Sequence, residues 1–217
     1  MITDERIARY IESLEAELPP LLREIEKEAL QDHVPIIKKP TRSLLRFLIH
    51  QNRPKQILEV GAAVGFSSLL MSEYLDEEAR ITTIEKVPKR IEEAKNNFKR
   101  ASKEHVITLL EGDATQILSA LSLEGKKYDM IFMDAAKGQY IHFMEDVLNL
   151  LAQGGTLISD NVLQDGDIVE SRFAVTRRNR TIHFRMREYL YSLTHNEALD
   201  TIVLPIGDGV TISKKQK

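Results

Sequence analysis

The chain has 217 residues, 42% hydrophobic and 29% charged, and its 30 Lys and Arg against 33 Asp and Glu leave a net charge of −3. That length fits one large domain, the charge argues against a uniformly basic nucleic-acid binder, and the absence of cysteine excludes a disulfide framework, a thiol nucleophile and a thiolate metal site. No apolar run approaches the ~20 residues of a membrane span and no signal-peptide pattern opens the chain, so a cytoplasmic protein without a membrane partner is expected.

Residues 3–32 read as one or two helices broken at Pro19-Pro20, with Ile7, Ile11, Leu14 and Leu18, then Leu22, Ile25 and Ala29, at helical spacing. His33-Val-Pro-Ile-Ile37 is a short extended piece before a helix over 41–51. Residues 1–52 are expected to cap a core formed by 53–217, the whole being a single domain. In that core, strands near 56–60, 80–84, 105–110, 128–133 and 155–159 alternate with helices near 66–76, 87–102, 114–122 and 138–151. Alternation of nearly continuous apolar strands with helices predicts a parallel sheet covered on both faces. The end of the chain breaks the rhythm. A long helix over 172–194 precedes Thr201–Leu204 and Val210–Ser213, two strands joined through Gly207-Asp-Gly209 as a hairpin. The predicted fold is α/β: a Rossmann-like, doubly wound, seven-stranded sheet, mostly parallel, with an antiparallel C-terminal hairpin strand and N-terminal helices.

The chemistry centres on Gln56-Ile-Leu-Glu-Val-Gly-Ala-Ala-Val-Gly-Phe-Ser67. An apolar strand turns through Gly61 and Gly65 into a helix, whose free N–H groups can meet a polar ligand. The G-x-x-x-G spacing differs from a dinucleotide fingerprint. Glu85 ends the second strand, about 20 residues on, where doubly wound folds grip a ribose. The third strand ends on Gly112-Asp113, the fourth on Asp134, the fifth on Asp160-Asn161. Ligands of such sheets bind beyond the carboxyl ends of the strands, so these acids share one crevice. Asp134, Asp160 and Asn161 offer three hard oxygens, which suits Mg²⁺ and not a structural zinc. Lys137 lies at the mouth of the same loop. Beside a cation in a partly dry cleft it would serve as a general base; away from one it is a solvated lysine before a helix.

Together these pieces closely resemble the metal-dependent class I O-methyltransferases, the group of catechol and caffeoyl-CoA O-methyltransferases. The matching stretches are Leu58-Glu-Val-Gly-Ala-Ala-Val-Gly-Phe-Ser67, Thr83-Ile-Glu85, Glu111-Gly-Asp-Ala114, Phe132-Met-Asp-Ala-Ala-Lys-Gly-Gln-Tyr140 and Ser159-Asp-Asn-Val162, and coverage is nearly the whole chain. Within the group, His33-Val-Pro-Ile36, Asp134-Ala-Ala-Lys-Gly-Gln-Tyr140 and Pro205-Ile-Gly-Asp-Gly209 followed by Ser213-Lys-Lys215 are most similar to bacterial tRNA 5-hydroxyuridine O-methyltransferases.

The resemblance implies S-adenosylmethionine as methyl donor. Ile37, Gly61 and Ser67 would hold its methionine portion, Glu85 its ribose hydroxyls and Asp113 its adenine amino group, with Asp134 also beside it. Asp134, Asp160 and Asn161 would hold Mg²⁺ or another divalent cation, and Lys137 would be the base. Unlike many small-molecule relatives, which carry aromatic residues around the substrate, the chain is small and open at Ala135-Ala136. Three protein oxygens leave about three of six octahedral positions, which favours a hydroxyl next to a second oxygen. Catechol and 5-hydroxyuracil both have that pair. Between Ser171 and Arg187 stand Arg172, Arg177, Arg178, Arg180, Arg185 and Arg187 with no acid. Taken alone this is a solvated helix face or a contact of the expected homodimer. With the resemblance it reads as a phosphate-neutralising surface for a tRNA anticodon loop, with Arg177, Arg178 and Arg180 as contacts.

Overall fold

Proline fixes where several helices begin. The computed structural model describes residues 5–171 and 173–216. After α1 (Glu5–Ser13), Pro20 opens α2 (Pro20–Gln31) and Pro40 stands in the first turn of α3 (Lys39–Asn52). A first-turn residue has no intrahelical N–H partner to lose, so proline costs nothing there. The strands follow in the expected rhythm: β1 (Gln56–Val60), β2 (Arg80–Glu85), β3 (Ile107–Glu111), β4 (Tyr128–Met133) and β5 (Leu151–Ser159). Between them run α4 (Phe66–Ser72), α5 (Pro88–Arg100), α6 (Ala114–Leu123) and α7 (Tyr140–Leu150). The chain closes with α8 (Arg180–Thr194), β6 (Leu199–Leu204) and β7 (Val210–Lys215).

The seven strands form one sheet in the order β3-β2-β1-β4-β5-β7-β6. The first five are parallel; β7 runs antiparallel to both β5 and β6. Side chains that alternate along each strand feed two apolar clusters. Ile57 and Phe132 face α2–α5, while Leu58, Ile131 and Met133 face α6–α8. Leu22, Ile25, Leu45 and Ile49 lie in the first cluster beside Ile57 and Phe66, so α2 and α3 complete one wall of the core.

The register places the crevice. Val60 is level with Ile84 and Met133, Met133 with Ser159, and Glu85 with Glu111. Gly61, Glu85, Gly112, Asp134 and Asp160 therefore emerge along one edge. Because β7 runs backwards, with Ser159 level with Thr211, its leading loop reaches the same edge.

Three expected boundaries move. The helix predicted over 66–76 ends at Ser72, where the Ser72 hydroxyl donates to the Leu69 carbonyl at 2.7 Å. Glu73, Asp76, Glu77 and Glu78 follow, and acids oppose the negative end of a helix. The fifth strand is longer than predicted, starting at Leu151, with a register shift against β4 between Tyr128 and Met130. The helix predicted over 172–194 starts only at Arg180. Residues 173–179 are turns: Ser171 Oγ accepts from the Ala174 N–H at 3.3 Å, and Asn179 N donates to the Thr176 carbonyl at 2.9 Å. A side-chain bond of the Ser171 kind is how serine competes with a helix for the backbone. Arg172 lies outside the described residues.

Candidate active site

The glycine turn is set by close approach. Gly61 has φ +107°, and a Cβ there would sit 2.1 Å from the Asp134 carbonyl oxygen. Gly65 has φ +79°, and its Cβ would stand 2.4 Å from the Phe98 ring. Only glycine allows the loop to lie against both neighbours. The loop and the strand ends enclose a cleft of about 820 Å³. Ile37, Gly61, Ser67, Glu85, Asp113 and Asp134 all line it, as do Lys137, Asp160 and Asn161. The structure thus brings together every predicted donor, metal and base residue. Arg177, Arg178 and Arg180 are not among the lining residues.

Glu85 is held by backbone on three sides. Its Oε2 accepts from the Ala63 N–H at 2.9 Å, and its Oε1 from the N–H groups of Lys86 and Val87 at 2.8 and 2.9 Å. The carboxylate plane is therefore fixed while lone pairs remain for a diol. Asp113 caps α6, accepting from Thr115 N at 3.0 Å, and Lys86 Nζ lies 3.4 Å from its other oxygen. The Thr115 hydrogen bond holds its carboxyl below the usual range.

Asp134 and Asp160 are the electrostatic centre. Asp160 is 3% exposed. Burial pushes the Asp134 carboxyl up to about 7, with the charges of Asp160 and Glu59 adding to it. Burial likewise pushes Asp160 up to about 6, partly offset by the Asn161 backbone N–H at 2.8 Å, with Asp208 adding repulsion. Asn161 sits in the left-handed region at φ +63°, and its Nδ2 donates to Asp134 Oδ1 at 2.7 Å. Among the described residues no cluster of three or more His, Cys, Asp or Glu forms a metal site, so the centre consists of two carboxylates and one amide. Two carboxylates whose ionisation burial makes costly, Asp134 further opposed by the charge of Asp160, fit a hard divalent cation, which removes that cost.

The basic stretch divides. Arg177, Arg178 and Arg187 are exposed. Arg180 donates to the Val175 carbonyl at 3.4 Å and lies 6.0 Å from the Phe173 ring centre. Arg185 is half-buried and donates to the Gly138 carbonyl at 3.1 Å, which fastens α8 to the short 3₁₀ turn Lys137–Gln139.

The family described as O-methyltransferase matches residues 12–216. The chain belongs to that family. It is 29% identical over 209 residues to the tapetum-specific methyltransferase 1 of Arabidopsis thaliana, with 90% of this chain and 86% of that one covered. A Staphylococcus aureus protein solved as a candidate caffeoyl-CoA O-methyltransferase is 30% identical, with 99% of this chain and 100% of that one covered at a TM-score of 0.85. An SAH-bound methyltransferase from Podospora anserina is 26% identical, with 100% and 96% covered at a TM-score of 0.85.

In this class I, S-adenosylmethionine-dependent O-methyltransferase the sheet edge also presents residues that the sequence pattern alone does not single out. Asp208, in the hairpin loop, lines the cleft and is ion-paired with Lys38 from the opposite wall. Its signal is the antiparallel hairpin itself, which must return to the edge where β5 ends. Glu59 lies beneath the glycine turn, fully buried, with Oε2 bonded by Ser68 and Thr83; among the described residues Oε1 has no partner. Burial pushes its carboxyl up. An acid inside the apolar run Ile57-Leu-Glu-Val60 is the signal available in the sequence.

Proposed function

We propose that this O-methyltransferase acts on the 5-hydroxyl of 5-hydroxyuridine at the tRNA wobble position, giving 5-methoxyuridine, with S-adenosylmethionine as donor and Mg²⁺ or another divalent cation in the site. The observation that carries the reading is the Arg185–Gly138 hydrogen bond at 3.1 Å, because it seats the arginine-bearing segment against the turn that carries Lys137. Exposed Arg177, Arg178 and Arg187 belong to that segment and are available to neutralise phosphates, while small Ala135 and Ala136 in the lining of the cleft leave room for a splayed base.

In this reading Ile37, Gly61 and Ser67 receive the methionine part of the donor, Glu85 its ribose hydroxyls and Asp113 its adenine, while Asp134 serves both donor and cation. Asp134, Asp160 and the Asn161 amide oxygen hold the cation, whose chemistry is to lower the pKa of a hydroxyl and orient it. Lys137 accepts the hydroxyl proton at Nζ. The reaction moves a methyl group from sulfonium to oxygen, for which alignment of the reactants supplies roughly 7–11 kcal/mol of a barrier in well-positioned cases. A cytoplasmic location and a homodimer complete the proposal, the latter checked by mass in solution.

A second reading, a catechol or phenol substrate, is favoured by the caffeoyl-CoA name of the Staphylococcus aureus relative. Purified enzyme incubated with hydroxylated tRNA, or with catechol, decides between them by mass spectrometry of the products. The expected result is 5-methoxyuridine in tRNA, lost in chelator and regained with Mg²⁺. Ready methylation of catechol beside untouched tRNA would replace the first reading by the second.

A further inference from the structure

Beyond Met133 and Ser159 the β4–β5 ladder ends, and its last bond runs from Asp160 N to the Met133 carbonyl at 2.9 Å. The two loops that carry Asp134 and Asp160 leave the sheet side by side, and Asn161 Nδ2 links their side chains by donating to Asp134 Oδ1 at 2.7 Å. A second link joins their backbones. The residue in that position is Tyr140, the first of α7, which is fully buried. Its hydroxyl oxygen accepts from the Ala135 N–H at 3.2 Å and offers its single proton to the carbonyls of Met133 and Asp160, both at 3.1 Å. One hydroxyl thus touches the backbone immediately before Asp134, immediately after it, and at Asp160 itself.

The ring is in turn fixed. Tyr189 packs edge-on against it, with centroids 5.4 Å apart and planes at 75°. The Tyr189 hydroxyl is also fully buried, and it bonds side chains rather than loop backbone: Ser159 Oγ at 2.6 Å and Met133 Sδ at 3.9 Å. Two buried phenols of one cluster therefore do different things: one holds the backbone of the two loops, the other the side chains of the strand residues just before them.

We propose that Tyr140 is a positioning residue for the cation, a cross-brace that keeps the Asp134 and Asp160 loops at the spacing a divalent ion needs. The proposal rests on the reading of Asp134, Asp160 and Asn161 as a cation site. Mg²⁺ demands near-ideal octahedral geometry, so its affinity depends on ligands placed before it arrives. Partners that orient metal ligands typically govern affinity by 10–100-fold. Three backbone contacts to the hydroxyl of a rigidly packed ring supply that placement.

The test is calorimetric titration of Mg²⁺ and Mn²⁺ into the full chain without substrate, for wild type, Tyr140→Phe, Tyr189→Phe and Asp160→Ala. Tyr140→Phe is expected to bind either cation at least about 10-fold more weakly. Tyr189→Phe, which deletes an equally buried hydroxyl from the same cluster, should stay within about twofold of wild type even where it melts earlier. Binding of S-adenosylmethionine in chelator should be the same in both variants. Excess cation should return the Tyr140→Phe turnover number towards wild type, which a general loosening of the fold would not allow. Unchanged cation affinity in Tyr140→Phe, or an equal loss in Tyr189→Phe, overturns the proposal. Cation binding by Asp160→Ala indistinguishable from wild type would instead remove the cation reading on which it stands. Should Tyr140→Phe not fold, amide exchange on wild type decides in its place. The Ala135 N–H must be protected in chelator as well as with cation, and rapid exchange there before the cation is added would show that no brace exists.

Discussion

At the scale of single residues the site is governed by charge that the fold has not neutralised. Asp134 and Asp160 ionise at about 7 and about 6 in the folded chain, against an ordinary value of 3.8 for each. A carboxyl whose folded pKa lies above its unfolded one favours the fold when protonated. That contribution is complete below about 3.8 and is lost as the pH rises through about 6 and then about 7. In chelator, the melting temperature of the wild type should therefore fall between pH 5 and pH 8. Asp134→Asn should flatten that fall, since the amide never ionises, and added Mg²⁺ should reverse it in wild type but not in the variant. Parallel melting curves for the two proteins across this range, measured by scanning fluorimetry, would show that the pair carries no such strain. The same Asp134→Asn substitution should abolish methyl transfer while leaving the chain folded.

At the scale of elements, what is legible in the sequence depends on whether a residue's position follows from its own strand. Glu85, Asp113, Asp134 and Asp160 each follow an apolar run, and in a parallel sheet all such ends share an edge, so spacing alone places them. Asp208 and Tyr140 escape because their positions depend on pairing with other elements. Asp208 needs the β5–β7 register, and Tyr140 needs the direction of its side chain across α7 onto two loops. The basic stretch departs from expectation for a related reason. The sequence suggests one helix, whereas the backbone runs through turns before Arg180, with Ser171 Oγ taking the Ala174 N–H and Asn179 N bonded to the Thr176 carbonyl. As a consequence Arg180 and Arg185 are engaged within the protein, and Arg177 and Arg178 stand out on the turn. The double variant Arg177→Ala/Arg178→Ala should raise the KM for hydroxylated tRNA with kcat and donor binding nearly unchanged. Each lost phosphate contact should also flatten the log–log salt dependence by roughly 0.7 to 0.9. Unaltered tRNA kinetics with a changed mass in solution would assign the turn to a subunit contact instead.

At the scale of the molecule, the first 52 residues are expected to act as a cap, and the packing makes them unequal. Leu22, Ile25 and Ala29 of α2 are at most 4% exposed and share a cluster with Leu45 and Ile49 of α3 and with Ile57 of β1. The linker after α2 adds Val34 and Ile37 to the same cluster, and Ile37 also lines the cleft. Arg42 ties this wall together from within. Its Nε donates to the Ile37 carbonyl at 3.1 Å, its Nη2 bonds Glu26 at 2.5 Å, and its guanidinium lies 4.9 Å from the Phe66 ring centre. By contrast α1 leaves Ile7, Tyr10 and Ile11 between 51% and 66% exposed. Removing residues 1–14 should therefore shift the melting temperature by only a few degrees and leave S-adenosylmethionine binding intact. Removing residues 1–37 should be of a different order. It deletes five of these buried side chains at once, of which Leu22, Ile25 and Ile37 are of the type worth about 2–5 kcal/mol each in truncation experiments, against a typical total stability of about 5–15 kcal/mol. That shortened chain is expected not to fold, as read by near-ultraviolet circular dichroism and by loss of donor binding. A cooperative melt from residues 38–217 would show instead that the core closes without α2 and that the N-terminal wall is a detachable lid on the cleft.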